Sequence, residues 1–452
     1  MSRPGWRSRA VRGTFIHAPV RGEIEVLADA ILQLDGEGRI EIVARAGTDA
    51  HVELSAAPDL IVLPADRFVI PGFVDLHVHA PQYPQLGQAL DVPLEVWLGK
   101  YTFPLEARYA DLAFARERYE VLVADLLAVG TTTALYFATQ HLTATELLAE
   151  ICLTKGQRGL VGKVVMDDPA ACPDYYRDAS AADAVADTRA LIEFVRALPG
   201  NDRVLPVITP RFIPSCSDEA LTGLGALAAE TGAHVQTHCS ESDWAHGHAL
   251  SRYGHTDATA LDGFGLMTRK TVLAHSVFLT DPDMALLRQR GAGVAHCALS
   301  NMYFANAVFP LRRALEQGVH VGLGTDISGG PAGTMFEATR GAVQASRMLE
   351  DGVDPTDSRE TRGTPGSRID IATAFHLATA GGGEALDLPI GRFEAGCFCD
   401  ALVIDPATSD GSIRLFGETD PVAILEKTLY TATRPNLATV LVAGERVAGW
   451  EY

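Results

Sequence analysis

Two histidines spaced two residues apart give this chain its clearest chemical signal. They lie in the run Pro71-Gly-Phe-Val-Asp75-Leu-His77-Val-His79, which reads as a β-strand. Alternate side chains of a strand share a face. His77 and His79 therefore point the same way, with Asp75 one step behind. Leu76 and Val78 point the other way, toward packing partners. Two imidazoles on one strand face suit a first-row metal such as Zn²⁺. A bare His-x-His is equally what two ordinary sheet histidines look like, so other residues must decide. Three further metal-compatible groups close candidate strands: His238 in Thr237-His-Cys-Ser-Glu241, His275 in Leu273-Ala-His-Ser276, and Asp326 in Gly322-Leu-Gly-Thr-Asp326. In a closed barrel the carboxyl ends of the strands converge on one site, and all five groups would meet there. A second His-x-His, His246 and His248, follows the fifth strand in what reads as helix or loop. On a helix, residues two apart diverge by about 200°, so this pair has no metal role. His17, His51, His141, His234, His255, His296, His320 and His376 have no such company and read as ordinary histidines.

The elements that must position these residues follow an alternating pattern. Short apolar strands at Phe73–His79, Thr131–Phe137, Leu160–Met166, Leu205–Thr209, His234–His238, Thr271–His275, Gly293–His296 and His320–Gly324 are each followed by a longer helical stretch. Eight such repeats predict an α/β fold, a (β/α)₈ TIM-type barrel over residues 71–384. The flanks have β character: Ile24–Val26, Ile40–Val43 and Leu60–Leu63 within residues 1–70, and Ala401–Ile404 and Val440–Val447 within residues 385–452. They are expected to join into one small β-sandwich domain formed by the N- and C-terminal segments. The polar stretch Asp351–Arg368 reads as a long surface loop.

Composition narrows the partners. Across 452 residues, 37 Lys and Arg against 57 Asp and Glu leave a formal charge of −20. A surface that negative repels phosphate backbones, so no nucleic-acid partner is expected; a small neutral substrate is compatible. There is no run of about 18 apolar residues, so no membrane span is expected. The start of the chain is basic (Arg3, Arg7, Arg9, Arg12) but lacks the apolar stretch of a secretory signal. Seven Cys, an odd number, are spread over the chain and imply no disulfide framework. A reduced, cytoplasmic protein is the expectation.

Longer segments carry a family resemblance. They are the His-x-His strand continued by Ala80-Pro-Gln82-Tyr83, Trp97–Phe103, Gly130–Thr139, Gly162–Asp167, Thr209-Pro-Arg211-Phe212, Thr237–Glu241, Gly322–Gly330 and Gly391–Gly396. With these the chain resembles the amidohydrolase superfamily over nearly its whole length. Ala80–Tyr83 and Thr209–Phe212 narrow the likeness to its guanine-deaminating branch. The resemblance implies one Zn²⁺ per subunit, held by His77, His79, His238 and Asp326. Such a metal acidifies a bound water from a pKa near 15.7 toward roughly 7. Relatives with two metals bridge them by a modified Lys on the fourth strand. Here that strand ends in Thr209-Pro210-Arg211, and Lys163 on the third strand reads as structural, so a single metal is expected.

By the same resemblance Glu241 takes the water proton to ring N3 of guanine. Attack at C2 then releases ammonia and leaves xanthine. His275 orients the water or approaches the metal, and Asp326 shares the relay. Arg211 contacts the carbonyl edge, Phe212 packs on the ring, and Gln82 binds the purine edge near N3, with His238 and Glu241 also bordering the substrate. An Arg donor suits O6, which adenine lacks, so the wrong base would leave Arg211 unpaired. A homodimer is implied as well. One segment departs from the family: Ala298-Leu299 stands where Pro-Asn is usual, followed by Tyr303-Phe304-Ala-Asn306. That loop should border the pocket, and it keeps a second reading open, a sister amidohydrolase acting on a modified purine, pterin or triazine. A non-catalytic scaffold is the third reading; retention of His77, His79, His238, His275 and Asp326 argues against it.

Overall fold

The computed structural model describes residues 5–305 and 307–450. Arg3 and Asn306, singled out above, lie outside the described residues.

Eight parallel strands follow one another around a barrel: Phe73–His79, Thr131–Phe137, Arg158–Gly162, Leu205–Pro210, His234–Cys239, Thr271–His275, Gly293–His296 and His320–Leu323. The third pauses at Lys163 and resumes at Val164–Val165, which pairs with the fourth. Lys163 is fully buried, and its ammonium lies 2.5 Å from Asp178, a structural ion pair. The strands are buried almost throughout, as expected when one face fills the lumen and the other meets helices. Those helices begin where the sequence offers side-chain caps: Asp111, Ser180, Ser217 and Ser242 each accept a hydrogen bond from a first-turn backbone N–H. Several end on a glycine in the left-handed region, as at Gly232 and Gly254, where a side chain would be strained.

Closure of the barrel occurs at its carboxyl end. Asp326 N donates to His77 O, and His79 N donates to Ile327 O, both at 2.9 Å. The first and eighth strands thus meet in register at the residues singled out for chemistry.

The two ends of the chain build a separate eight-stranded sheet. Its order is Glu445–Ala448, Leu437–Val442, Ala401–Ile404, Phe68–Pro71, Ala10–His17, Glu25–Leu34 and Ile40–Ala44, with Ile61–Val62 beside Ala10–His17. N- and C-terminal strands join where Phe68–Pro71 runs antiparallel to Ala401–Ile404. Phe73 follows at once, so this sheet feeds directly into the first barrel strand. After Asp351 the predicted loop carries no helix or strand until Ile371.

A buried ion pair pins the sheet to the barrel. Arg158, opening the third strand, donates from Nε and Nη2 to Asp400 at 3.3 and 3.2 Å, with both side chains at most 4% exposed. Asp400 also accepts Ala443 N at 2.7 Å. Removing one partner of such a pair strands the other charge, at a cost of about 3–5 kcal/mol. Asp400→Leu should therefore lower the thermal unfolding midpoint by several degrees, measured by calorimetry, and a variant melting with the parent protein would refute this anchoring.

Candidate active site

The barrel mouth is built from strand ends held in an uncommon backbone conformation. Ser240, His275, Ser276 and Asp326 all have positive φ, between 48° and 67°. For residues with a side chain this costs about 1 kcal/mol or more each. Specific contacts hold the strained positions. The Asp257 carboxylate accepts both the Ser240 backbone N–H and its hydroxyl, the latter at 2.6 Å. Ser276 N donates to Cys239 O at 2.8 Å. Asp75 fixes the eighth strand: its Oδ1 accepts Thr325 N at 3.0 Å and His77 N at 3.2 Å, and its Oδ2 accepts the Thr325 hydroxyl at 2.6 Å. Asp75 ties strands together and is not part of the donor cluster. Gly324 must be glycine, because a Cβ there would lie 2.8 Å from His77 Cβ and 2.9 Å from Cys297 Sγ.

Six predicted residues converge on one point: His77, His79, His238, Glu241, His275 and Asp326. Donor atoms of His77, His79 and His238 lie within 4.8 Å of one another, as do those of His77, His275 and Asp326. His79 Nε2 is 2.9 Å from His238 Nε2. Asp326 Oδ1 is 3.2 Å from His77 Nε2 and 3.7 Å from His79 Nε2. Ligands of a tetrahedral ion at about 2.1 Å are separated by about 3.4 Å, and these distances bracket that value. Three further observations fit a cation. His77 Nε2 is buried with no hydrogen-bond partner. His238 Nδ1 lies 2.6 Å from Arg211 O; a carbonyl can only accept, so Nδ1 carries the proton and Nε2 keeps its lone pair. Burial holds His77, His79 and His238 well below the usual histidine range, so all three are neutral donors.

Glu241 and His275 stand beside this cluster, 3.6 Å apart. Asn301 Oδ1 accepts from His275 Nδ1 at 2.9 Å, which turns Nε2 toward Glu241 and Asp326. Burial, with Asp326 beside it, pushes the Glu241 carboxyl up to about 8, against the pull of Arg211. Above the cluster lies a cavity whose wall includes His79, His238, Glu241 and Asp326. Predicted residues Gln82, Arg211 and Phe212 line it, together with Leu94, Trp97, Leu98, Phe304 and Gly329.

Six other histidines lie outside this cluster. His246 and His248 lie on the helix Asp243–Tyr253, and His17, His51, His234 and His376 bond to carboxylate or carbonyl groups elsewhere.

One residue escaped the sequence analysis. Glu106 is fully buried and accepts from Arg211 Nη1 at 2.7 Å, from Arg211 Nη2 at 3.2 Å and from Gln82 Nε2 at 2.8 Å. This corrects the expected basis of base selection: Arg211 already has an ionic partner, so a base lacking O6 would not leave its charge unpaired. Phe304, from the departing loop, also lines the cavity, with its ring centre 5.4 Å from that of Trp97.

Fold and donor set together define a metal-dependent hydrolase built on an α/β barrel. The chain matches the Amidohydrolase family over residues 68–447 and belongs to it. It is 38% identical to a probable guanine deaminase of Schizosaccharomyces pombe, over 97% of this chain and 83% of that protein. It is 35% identical to guanine deaminase of Homo sapiens, over 96% of each. Among solved structures, guanine deaminase from C. acetobutylicum with guanine bound in its active site superposes with a TM-score of 0.86 at 30% identity, covering 97% of this chain and all of that one.

His77→Ala and His238→Ala should each lose metal and hydrolase activity together. Elemental analysis against the parent protein checks this, and full metal retention in both would remove these residues from the donor set.

Proposed function

We propose that this protein hydrolyses guanine to xanthine and ammonia. The observation that carries the reading is a shared cavity: Glu241 lines it together with His79, His238 and Asp326 of the donor set, and Arg211 and Gln82, both hydrogen-bond donors, line it as well. Full-length likeness to guanine deaminases supports the same substrate.

We assign the metal as zinc, one ion per subunit, held by His77, His79, His238 and Asp326; when bound it acidifies the attacking water and polarises what it touches. Glu241 accepts the proton of that water and delivers it to ring N3, which makes C2 electrophilic. A carboxyl raised by burial suits this exchange, because its proton comes and goes near neutral pH. His275, turned by Asn301, offers Nε2 to orient the water. Asp326 lies 3.9 Å from His275 and shares the relay that passes a proton to the departing amine. Phe212 packs on the purine ring, while Arg211 donates to O6 and Gln82 meets the edge near N3. Adenine is rejected because its amine faces a donor where guanine offers an acceptor.

The reading extends to a homodimer in a reducing cytoplasm. The seven cysteines are all free and buried, which supports the compartment; the dimer rests on the resemblance alone. The position of Phe304 in the cavity wall favours keeping a second reading, another aminated heterocycle of the modified purine, pterin or triazine kind.

The metallated enzyme should release ammonia from guanine with stoichiometric xanthine, faster than from any ring in a panel of aminated heterocycles. Greater turnover of another ring would replace guanine as the substrate. Glu241→Gln should keep its metal while turnover falls by about 10²–10⁴-fold; retained turnover would take Glu241 out of the mechanism.

A further inference from the structure

The Glu106 carboxylate has more hydrogen-bonding work than a simple counter-ion. One oxygen takes Arg211 Nη1 at 2.7 Å; the other takes both Arg211 Nη2 at 3.2 Å and Gln82 Nε2 at 2.8 Å. Glu106 is fully buried, Gln82 is 1% exposed and Arg211 3% exposed, so bulk water cannot stand in for these bonds. Gln82 Oε1 accepts Ser328 N at 3.2 Å. Turning the Gln82 amide over would set its oxygen against a carboxylate and its NH₂ against an N–H. Its orientation is therefore fixed from both ends, and its second N–H remains for the cavity.

Arg211 is constrained in the same way. A forked carboxylate on both terminal nitrogens fixes the plane of the guanidinium, and the Phe103 ring lies 5.1 Å from its centre. Both residues line the cavity, whereas Glu106 does not. We infer that Glu106 is a specificity-determining positioning residue, which acts through Arg211 and Gln82 to hold two N–H donors toward the cavity and so selects a purine carrying a ring carbonyl acceptor. This rests on the deamination reading above and deepens it. It also accounts for a fixed Arg that is not a bare cation: the neutral pair favours an uncharged carbonyl ligand over an oxyanion, and a lone guanidinium would do the reverse.

A Gln at this position keeps the shape but loses the charge. Its amide has one oxygen: set where the shared carboxylate oxygen lies, it still accepts from Arg211 Nη2 and Gln82 Nε2, but its NH₂ then opposes Arg211 Nη1, so the fork that fixes the guanidinium plane and its charge are both lost. An Asp keeps the charge but falls one methylene short of reaching both.

The test compares guanine with 2-aminopurine, which carries the same reacting 2-amino group and lacks O6. In the parent enzyme, kcat/KM should favour guanine strongly. In Glu106→Gln this preference should shrink by about tenfold to a hundredfold, through a raised KM for guanine, with metal content unchanged. Glu106→Asp should fall between the two, and it carries the same comparison if the Gln variant fails to fold. A buried residue needed only for stability would lower both substrates alike. An unchanged preference in a folded, metallated variant would therefore overturn the inference while leaving the deamination reading intact. A parent enzyme that leaves both purines untouched would overturn the reading itself, and the inference with it.

Discussion

The seam between the first and eighth barrel strands is the constraint on which the site depends. Asp75 and Thr325 are 250 positions apart, yet their contacts set the register that brings the His77 and His79 imidazoles up to the Asp326 carboxylate. The seam is polar and fully buried, so each bond matters doubly: made, it strengthens in a low dielectric, and broken, it leaves unsatisfied groups that water cannot reach. Gly324 completes the geometry by allowing the eighth strand to lie against His77. A barrel closed one residue out of register would turn alternate side chains to the other face and disperse the donor set.

The strained backbone at Ser240, His275, Ser276 and Asp326 belongs to the same logic. Strands pointing into a barrel mouth would carry their terminal side chains onward into solvent. A left-handed residue at the end of the fifth, sixth and eighth strands turns the chain so that Glu241, His275 and Asp326 face one another instead. The cost is local, and the surrounding structure carries it through the Asp257 clamp, the Cys239 carbonyl and the strand seam. Strain held in this way leaves the reacting groups oriented before any substrate arrives, which is where much of an active site's electrostatic advantage originates.

Much of this was legible in the sequence because barrel strands are short apolar runs with chemistry at one end. Phe73–His79, Thr131–Phe137, Thr271–His275 and Gly293–His296 occupy the residues predicted for them. The terminal sheet was less legible. Ala10–His17 contains Arg12 and Gly13, which interrupt the apolar alternation, and Glu25–Leu34 bends at Asp29, with φ 49°, so only its first residues gave a strand signal. Glu106 gave no signal at all. In Phe103-Pro-Leu-Glu106-Ala it reads as the solvated side of a short helix. Its burial follows from how residues 94–110 fold over the barrel mouth, and its importance follows from Arg211, which lies more than a hundred residues later. A pairing between two such distant charges has no local trace.

Charge balance at the site gives a reason for the metal that does not rest on the histidines. Three carboxylates, Asp326, Glu241 and Glu106, gather around one guanidinium, Arg211, in a region nearly closed to water. Fully ionised, that group carries two net negative charges, and a buried site cannot hold them uncompensated. Burial accordingly pushes Asp326 and Glu241 upward, and Asp75, one strand step below, is pushed up to about 7. A divalent cation among the imidazoles would bring the sum to zero and would favour the ionised form of Asp326. Glu106 cannot play that part, because Arg211 already satisfies it. The three carboxylates are thus in different company: Asp326 lies against the His77 imidazole, Glu241 beside His275, and Glu106 against Arg211.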